Sequence, residues 1–161
     1  MFLNKKTRKK SVYSYKRYWY HVSTTLKNNK EYLIPWGEQE GFNRSGDEPD
    51  GNRICVAPTI EQCITAIPYV PYCTLRIYRT ENKVKATKPV DVFDSKITKE
   101  GWLLEPTTFI QIGKLYLEEI AWKLNIDEVI DESASSASLQ ESAKVLKWWK
   151  RIRIRRFIKR T

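Results

Sequence analysis

The sequence predicts an α+β fold with a mostly antiparallel sheet. Several segments rich in Val, Ile, Thr and Tyr follow one another with turn residues between them, which is typical of strands. Helical periodicity is confined to short segments, so helices do not alternate regularly with strands, and this order favours antiparallel pairing. The length of 161 residues, of which 41% are hydrophobic, suits one domain with a single core.

The positive charge lies in two arms at the ends of the chain. Residues 1–20 hold seven Lys and Arg and no acid, and residues 144–161 hold nine and no acid. Sixteen of the 29 basic residues therefore lie in the arms, and the 13 others accompany all 19 acidic residues in between. Such arms attract polyanions, above all nucleic-acid phosphates, or else serve only solubility. The aromatic residues within the arms favour binding.

The first part of the chain predicts a disordered arm and then a strand. Residues 1–16 form the basic arm, and residues 17–23 are rich in Tyr and Val, which predicts the first strand. The polar residues that follow predict a short helix or a turn. Residues 37–52 contain four glycines and many acids, which predicts a long polar loop.

The segment RICVAPTIEQCITAI, residues 53–67, predicts a buried strand followed by a short helix. Thr59 is the predicted cap, because Gln62 stands three residues later as in a capping box. Apolar residues at helical spacing give this helix one buried face, and Pro68 ends it.

The second half of the chain predicts further strands. CTLRIYRT, residues 73–80, and NKVKAT, residues 82–87, each predict one strand. Residues 101–122 predict two more, separated near Pro106. The core domain thus runs over residues 17–132, and a Ser/Ala linker follows at 133–138.

Residues 139–161 form a basic, aromatic helix or tail, with Val145, Trp148, Trp149 and Ile152 near one helix face. Three interpretations remain open: binding to nucleic acid, with rings on unpaired bases; contact with an anionic membrane surface, which is less favoured; or docking of the two tryptophans on the domain. The N-terminal arm favours the first, since two arms can hold one strand from both sides. The predicted nucleic-acid-binding residues are Lys9, Lys10, Arg17, Lys147, Trp148, Trp149, Lys150, Arg151, Arg153, Arg155 and Arg156.

Several classes of site find no support in the sequence. One histidine and three cysteines without ligand spacing argue against a zinc site, and no metal cofactor is predicted. The three cysteines are predicted core residues. The motifs of P-loop, Rossmann, serine-hydrolase and zincin enzymes are missing. Without an apolar run of membrane-spanning length or a signal peptide, the sequence predicts a reduced, cytoplasmic protein, and it leaves the oligomeric state open.

Three stretches occur in the order seen in one enzyme superfamily. They are the strand end YHVST at residues 20–24, the strand-to-helix unit at 53–67, and the glutamate before an apolar strand in KEGWLLEP, residues 99–106. In this order the chain resembles the ADP-ribosyltransferase-like superfamily. It is similar in outline to RNA 2′-phosphotransferases, to DNA-targeting ADP-ribosyltransferase toxins and to small phage-encoded proteins. The resemblance covers about residues 17–120 and implies a split, curved β-sandwich whose cleft binds NAD.

The resemblance also implies roles for particular residues. His21, with Ser23 or Thr24, would hydrogen-bond the adenosine-side ribose and the nicotinamide amide. Glu100, or Glu105 as second choice, would hold the nicotinamide ribose and stabilise an oxocarbenium-like transition state, since developing positive charge favours a fixed carboxylate. The other implied NAD contacts are a stacking ring from Tyr69, Tyr72 or Trp36, a phosphate contact from Arg53, and Thr59.

Two hypotheses about function follow. The first is NAD-dependent transfer of ADP-ribose, or related NAD chemistry, to a macromolecule, with nucleic acid favoured by the arms. The second is a non-catalytic, phage-type inhibitor or binding protein that engages nucleic acid or a host nucleoprotein defence complex. Val22 stands where the superfamily usually has glycine, and residues 57–59 are Ala-Pro-Thr where it offers Tyr or Ser, which favours the second. The order of His21 and Glu100 favours the first.

Overall fold

A computed structural model describes residues 12–36, 52–66, 74–89, 95–124 and 139–161. The α+β class with mostly antiparallel strands is confirmed. The strands are β1 (Tyr20–Ser23), β2 (Lys30–Leu33), β3 (Ile54–Val56), β4 (Thr74–Thr80), β5 (Gly101–Leu103), β6 (Thr107–Tyr116) and β7 (Lys159–Arg160). The helices are α1 (Ile60–Thr65), α2 (Ser95–Thr98), α3 (Leu117–Leu124) and α4 (Leu139–Arg151), and a 3-10 turn follows at Ile154–Phe157.

Some predictions concern residues that lie outside these ranges. They are most of the N-terminal arm, nearly all of the polar loop at 37–52, the linker at 133–138, and the candidate residues Lys9, Lys10, Tyr69 and Tyr72. These remain predictions.

Strands β4 and β6 form the centre of the larger sheet. Its order is β1-β4-β6-β2, β7 pairs with β6, and β3 and β5 form a second, two-stranded sheet. Every pair is antiparallel. The register between β4 and β6 shifts between Ile77 and Tyr78, and such irregularities bend a strand and increase its twist.

The two sheets and the helices enclose two clusters of buried residues. One cluster lies between the larger sheet and helices α1 and α4, and it includes Ile77, Leu115 and Trp149. The other includes Trp19 and Phe109 and packs them against apolar residues of β3 and β5. The larger sheet therefore contributes to both clusters, and β3 lies directly before α1.

Local sequence signals correctly place the strand-to-helix unit. The Thr59 hydroxyl oxygen accepts a hydrogen bond from the Gln62 amide at 3.2 Å, and the Thr59 hydroxyl lies 2.9 Å from Gln62 Oε1. Ile60, Cys63 and Ile64 are buried, as the helical spacing predicts. The capping prediction is therefore confirmed, and it fixes the direction in which the chain leaves β3.

Two strand predictions were wrong. Residues 117–122 belong to helix α3, whose first turn carries Glu118 and Glu119 and whose Lys123 pairs with Glu119 at 2.9 Å. Acids in the first turn and a Glu–Lys pair four residues apart stabilise a helix. Residues 82–87 form only isolated bridges, in which Val84 pairs with Arg17.

The C-terminal segment packs into the domain. Val145, Trp149 and Ile154 are buried in the first cluster, and β7 extends the larger sheet. Gly113 leaves room for this packing, because a Cβ there would lie 2.4 Å from Ile158 Cγ2 and 3.0 Å from the Lys159 carbonyl oxygen. The position thus requires glycine for close approach of the chain end.

An ion pair ties the C-terminal segment to α1. Arg155 Nε and Nη2 donate to the two Glu61 carboxylate oxygens at 2.6 and 3.0 Å. Burial acts to raise the pKa of Glu61, but the hydrogen bonds and charge of Arg155 outweigh it, so this pKa lies below its ordinary value. Because the folded pKa is depressed, the stabilisation is complete above the unfolded pKa of about 4.3 and is lost as the pH falls through the folded value.

Glu61→Gln is therefore expected to lower the free energy of unfolding by about 1 kcal/mol at neutral pH, a modest amount because the Arg155 side chain is 57% exposed. The difference from wild type should shrink below about pH 4, as urea unfolding at several pH values would measure. Glu105→Gln, at an exposed position outside the helices, is the matched control. A difference independent of pH would contradict the ion pair.

Candidate active site around Cys55

His21 and Glu100, the two residues that the sequence favours most for catalysis, both adjoin Cys55: His21 lies at its backbone carbonyl and Glu100 at its thiol. β3 and β5 pair so that Cys55 lies directly opposite Trp102. β1 reaches β3 through the bridge between Tyr20 and Ala57, which brings His21 to Cys55. Three segments far apart in the sequence thus supply one cluster.

His21 is oriented by the backbone of β3. Its Nδ1 lies 2.9 Å from the Cys55 carbonyl oxygen, which only accepts hydrogen bonds, so Nδ1 carries the proton. Desolvation lowers the pKa of His21, and the Cys55 carbonyl opposes this only in part. The imidazole is therefore neutral at neutral pH, and its Nε2 is a hydrogen-bond acceptor.

Glu100 is held on both its side chain and its backbone. Trp102 Nε1 donates to Glu100 Oε1 at 3.0 Å, and the Tyr13 hydroxyl donates to the Glu100 carbonyl oxygen at 2.8 Å. The carboxylate also interacts with the Cys55 thiol. Glu100 directly precedes β5, where the sequence places it.

The surroundings of the Cys55 thiol disfavour its ionised form. Desolvation, followed by the charge and hydrogen bond of Glu100, raises the pKa of Cys55 to about 12. The thiolate is the reactive form, so a protonated thiol is inert. Cys55 is on the outward side of β3, which corrects the prediction of a core cysteine, whereas Cys63 is buried as predicted and lies 3.4 Å from the Tyr20 carbonyl oxygen.

Arg53 and Trp102 stack on each other within the cluster. The Arg53 guanidinium lies 4.2 Å from the centroid of the Trp102 ring, and Arg53 is buried. Neither Cys55 nor Trp102 was predicted as a site residue. The sequence signal that could have found them is spacing. Arg53 and Cys55 are two residues apart, as are Glu100 and Trp102, and residues two apart in a strand face the same side.

Of the remaining candidate residues, Trp36 adjoins the cluster through Arg53, and the others make different contacts. The Ser23 hydroxyl accepts hydrogen bonds from the amides of Thr25 and Leu26, and the Thr59 hydroxyl caps α1. Thr24 is exposed at the end of β1, and Glu105 is exposed in the turn before β6. Trp36 is 42% exposed and pairs with Arg53 through the backbone.

The nine predicted nucleic-acid-binding residues that the structure describes fall into two groups. One group makes contacts within the domain: Arg17 donates to the Pro58 carbonyl, Arg155 pairs with Glu61, Trp149 is buried and Trp148 packs against the first cluster. The other group is exposed, and its members are Lys147, Lys150, Arg151, Arg153 and Arg156. Only the second group presents a free cationic surface.

Comparisons with family models, curated proteins and solved structures find no match to this chain. Among the described residues, no group of three or more His, Cys, Asp or Glu side chains is arranged to hold a metal ion. None of the described helices has the length and apolar character needed to cross a membrane.

Proposed function

We propose that the cluster around Cys55 binds NAD and that the protein transfers ADP-ribose, or carries out related NAD chemistry, on a macromolecule. The observation that supports this is the contact of both His21 and Glu100 with Cys55. One neutral imidazole whose Nε2 can accept a hydrogen bond and one oriented carboxylate are residue types that suit a ribose-cleaving site.

In such a reaction the bond between the nicotinamide nitrogen and ribose C1′ breaks, and its electron pair leaves with nicotinamide. Positive charge then develops on the ribose, a nucleophilic oxygen or nitrogen of the target forms the new bond to C1′, and the proton that this atom loses is released to water. Glu100 would stabilise this charge, because a carboxylate held by Trp102 Nε1 needs no reorganisation at the moment of reaction. His21 Nε2 would accept a hydrogen bond from a ribose hydroxyl.

The target class proposed for this chemistry is nucleic acid. The exposed cations of the C-terminal segment favour this choice. Lys147, Lys150 and Arg151 are exposed on α4, and Arg153 and Arg156 are exposed just beyond it. Exposed Lys and Arg without acids among them attract phosphates and steer association.

A non-catalytic inhibitor or binding protein, acting on nucleic acid or a nucleoprotein defence complex, is the second candidate function. It is favoured because three side chains that the resemblance assigns to NAD already make other contacts within the domain. The hydroxyls of Ser23 and Thr59 already serve local turns and caps, and the Arg53 guanidinium stacks on Trp102. In this hypothesis the His21–Cys55 contact only positions β1 against β3.

Calorimetric titration of NAD into wild type and two His21 variants separates these functions. In His21→Asn the amide nitrogen can replace the Nδ1 donor to the Cys55 carbonyl, but the Nε2 acceptor is gone. We expect wild type to bind NAD and His21→Asn to lose at least about tenfold in affinity without a change in melting temperature. His21→Ala should lose both binding and some stability.

Two results would count against NAD chemistry. If the folded wild type does not bind NAD, the second function takes its place. If His21→Asn binds NAD as well as wild type, His21 acts only as a structural link between β1 and β3.

A further inference from the structure

Three cations lie side by side on one face of the larger sheet. Arg76 of β4 is directly opposite Lys114 of β6, and Lys114 is directly opposite Lys159 of β7. Residues directly opposite each other in neighbouring strands project from the same face, and neighbouring strands are about 4.8 Å apart. This cation row, defined as Arg76, Lys114 and Lys159, therefore spans roughly 10 Å in a line across the strands.

Among the described residues, acidic side chains neutralise the row only in part. Neither Arg76 nor Lys114 forms an ion pair with a described residue, and Lys159 has one ion pair, at 3.5 Å to Glu119. That carboxylate is shared with Lys123, which approaches it more closely, at 2.9 Å. Like charges directly opposite in a sheet repel one another, so the row costs stability in the free protein and favours an anion.

An aromatic ring and a small cavity adjoin the row. Lys159 Nζ lies 5.3 Å from the centroid of the Tyr116 ring, and Tyr116 is two residues beyond Lys114 on β6. Tyr116 and Lys159 also line a cavity of about 110 Å³, together with Lys123, Arg156 and Glu119. Sites for whole small-molecule ligands usually exceed about 300 Å³, so this cavity suits a single ring rather than a dinucleotide.

We infer that the cation row binds the sugar-phosphate backbone of single-stranded nucleic acid, with an unpaired base against Tyr116. A line of cations matches a linear polyanion, and an aromatic ring beside a basic groove is the arrangement that binds unpaired bases. A membrane surface fits less well, because Trp122, the most exposed large apolar side chain described, lies on α3 rather than in the row. The inference deepens the nucleic-acid target of the proposed function, but it does not require NAD.

The test is the affinity of the full chain for a short fluorescent oligodeoxythymidylate, measured by anisotropy at increasing salt and without NAD. The row variant carries Arg76→Gln, Lys114→Gln and Lys159→Gln. The control variant carries Lys27→Gln, Lys85→Gln and Lys96→Gln, which remove the same charge from exposed positions elsewhere. We expect the row variant to bind at least about tenfold more weakly, with a salt slope lower by about 2, and the control to change less than about threefold.

Melting temperatures show whether the row variant is folded. It should melt no lower than wild type, because the substitutions remove repulsion. Equal losses of affinity in the two variants, or undiminished binding by the row variant, would overturn the inference. So would a wild type that binds phosphatidylserine vesicles but not the oligonucleotide. Loss of NAD binding in the His21 variants, or its absence in wild type, would leave this result untouched.

Discussion

Replacing Trp149 with alanine is expected to lower the free energy of unfolding by about 3–5 kcal/mol. Trp149 is only 5% exposed and packs in the cluster that joins the larger sheet to α1 and α4. Its ring stands edge-on to Trp148, with the centroids 4.8 Å apart, so truncation would leave a cavity and remove an aromatic pair. Urea unfolding followed by circular dichroism measures the change.

Trp122→Ala is the matched control, because Trp122 is 84% exposed and its removal should change stability by less than about 0.5 kcal/mol. Equal effects of the two substitutions would show that α4 does not pack on the domain. The comparison also bears on any deletion of residues 139–161. Such a deletion would remove Trp149 and the fully buried Ile154 from the core, so weaker nucleic-acid binding by the truncated chain would not identify a binding arm.

The parts of the fold that were predictable depend on neighbours in sequence. Thr59 and Gln62 are three residues apart, so the cap of α1 is visible in the chain itself. Residues 117–122 were predicted as a strand because apolar residues continue from β6 into α3. There the acids of the first turn and the Glu119–Lys123 pair favour a helix.

The parts of the site that were not predictable depend on pairing between strands. Cys55 meets Trp102 only in the observed register of β3 and β5, and a shift by one residue would turn these side chains to opposite faces. The cation row depends in the same way on two registers, with a shift between Ile77 and Tyr78 in one of them. From composition, nucleic-acid binding was predicted for the basic ends of the chain. Arg76 and Lys114 lie instead in the middle of the larger sheet.

Replacing Glu100 with glutamine is expected to slow NAD cleavage by about 10²–10³-fold while NAD affinity stays within about threefold, if the proposed function holds. Glutamine keeps an oxygen that can accept from Trp102 Nε1, so the substitution removes the negative charge and preserves the hydrogen bond. The charge matters more in the transition state than in the bound state, because positive charge develops on the ribose only as the bond breaks. Release of nicotinamide, followed chromatographically, measures the rate.

Glu105→Gln is the control, because Glu105 is exposed in the turn between β5 and β6 and should retain the wild-type rate. A separate readout tests the position of Glu100 without reference to turnover. Desolvation, followed by the charge and hydrogen bond of the Glu100 carboxylate, raises the pKa of Cys55. Glu100→Gln should therefore lower this pKa from about 12 and speed alkylation of Cys55 at alkaline pH, as peptide mass spectrometry would show. Faster alkylation with an unchanged rate of NAD cleavage would place the carboxylate beside Cys55 and remove it from catalysis.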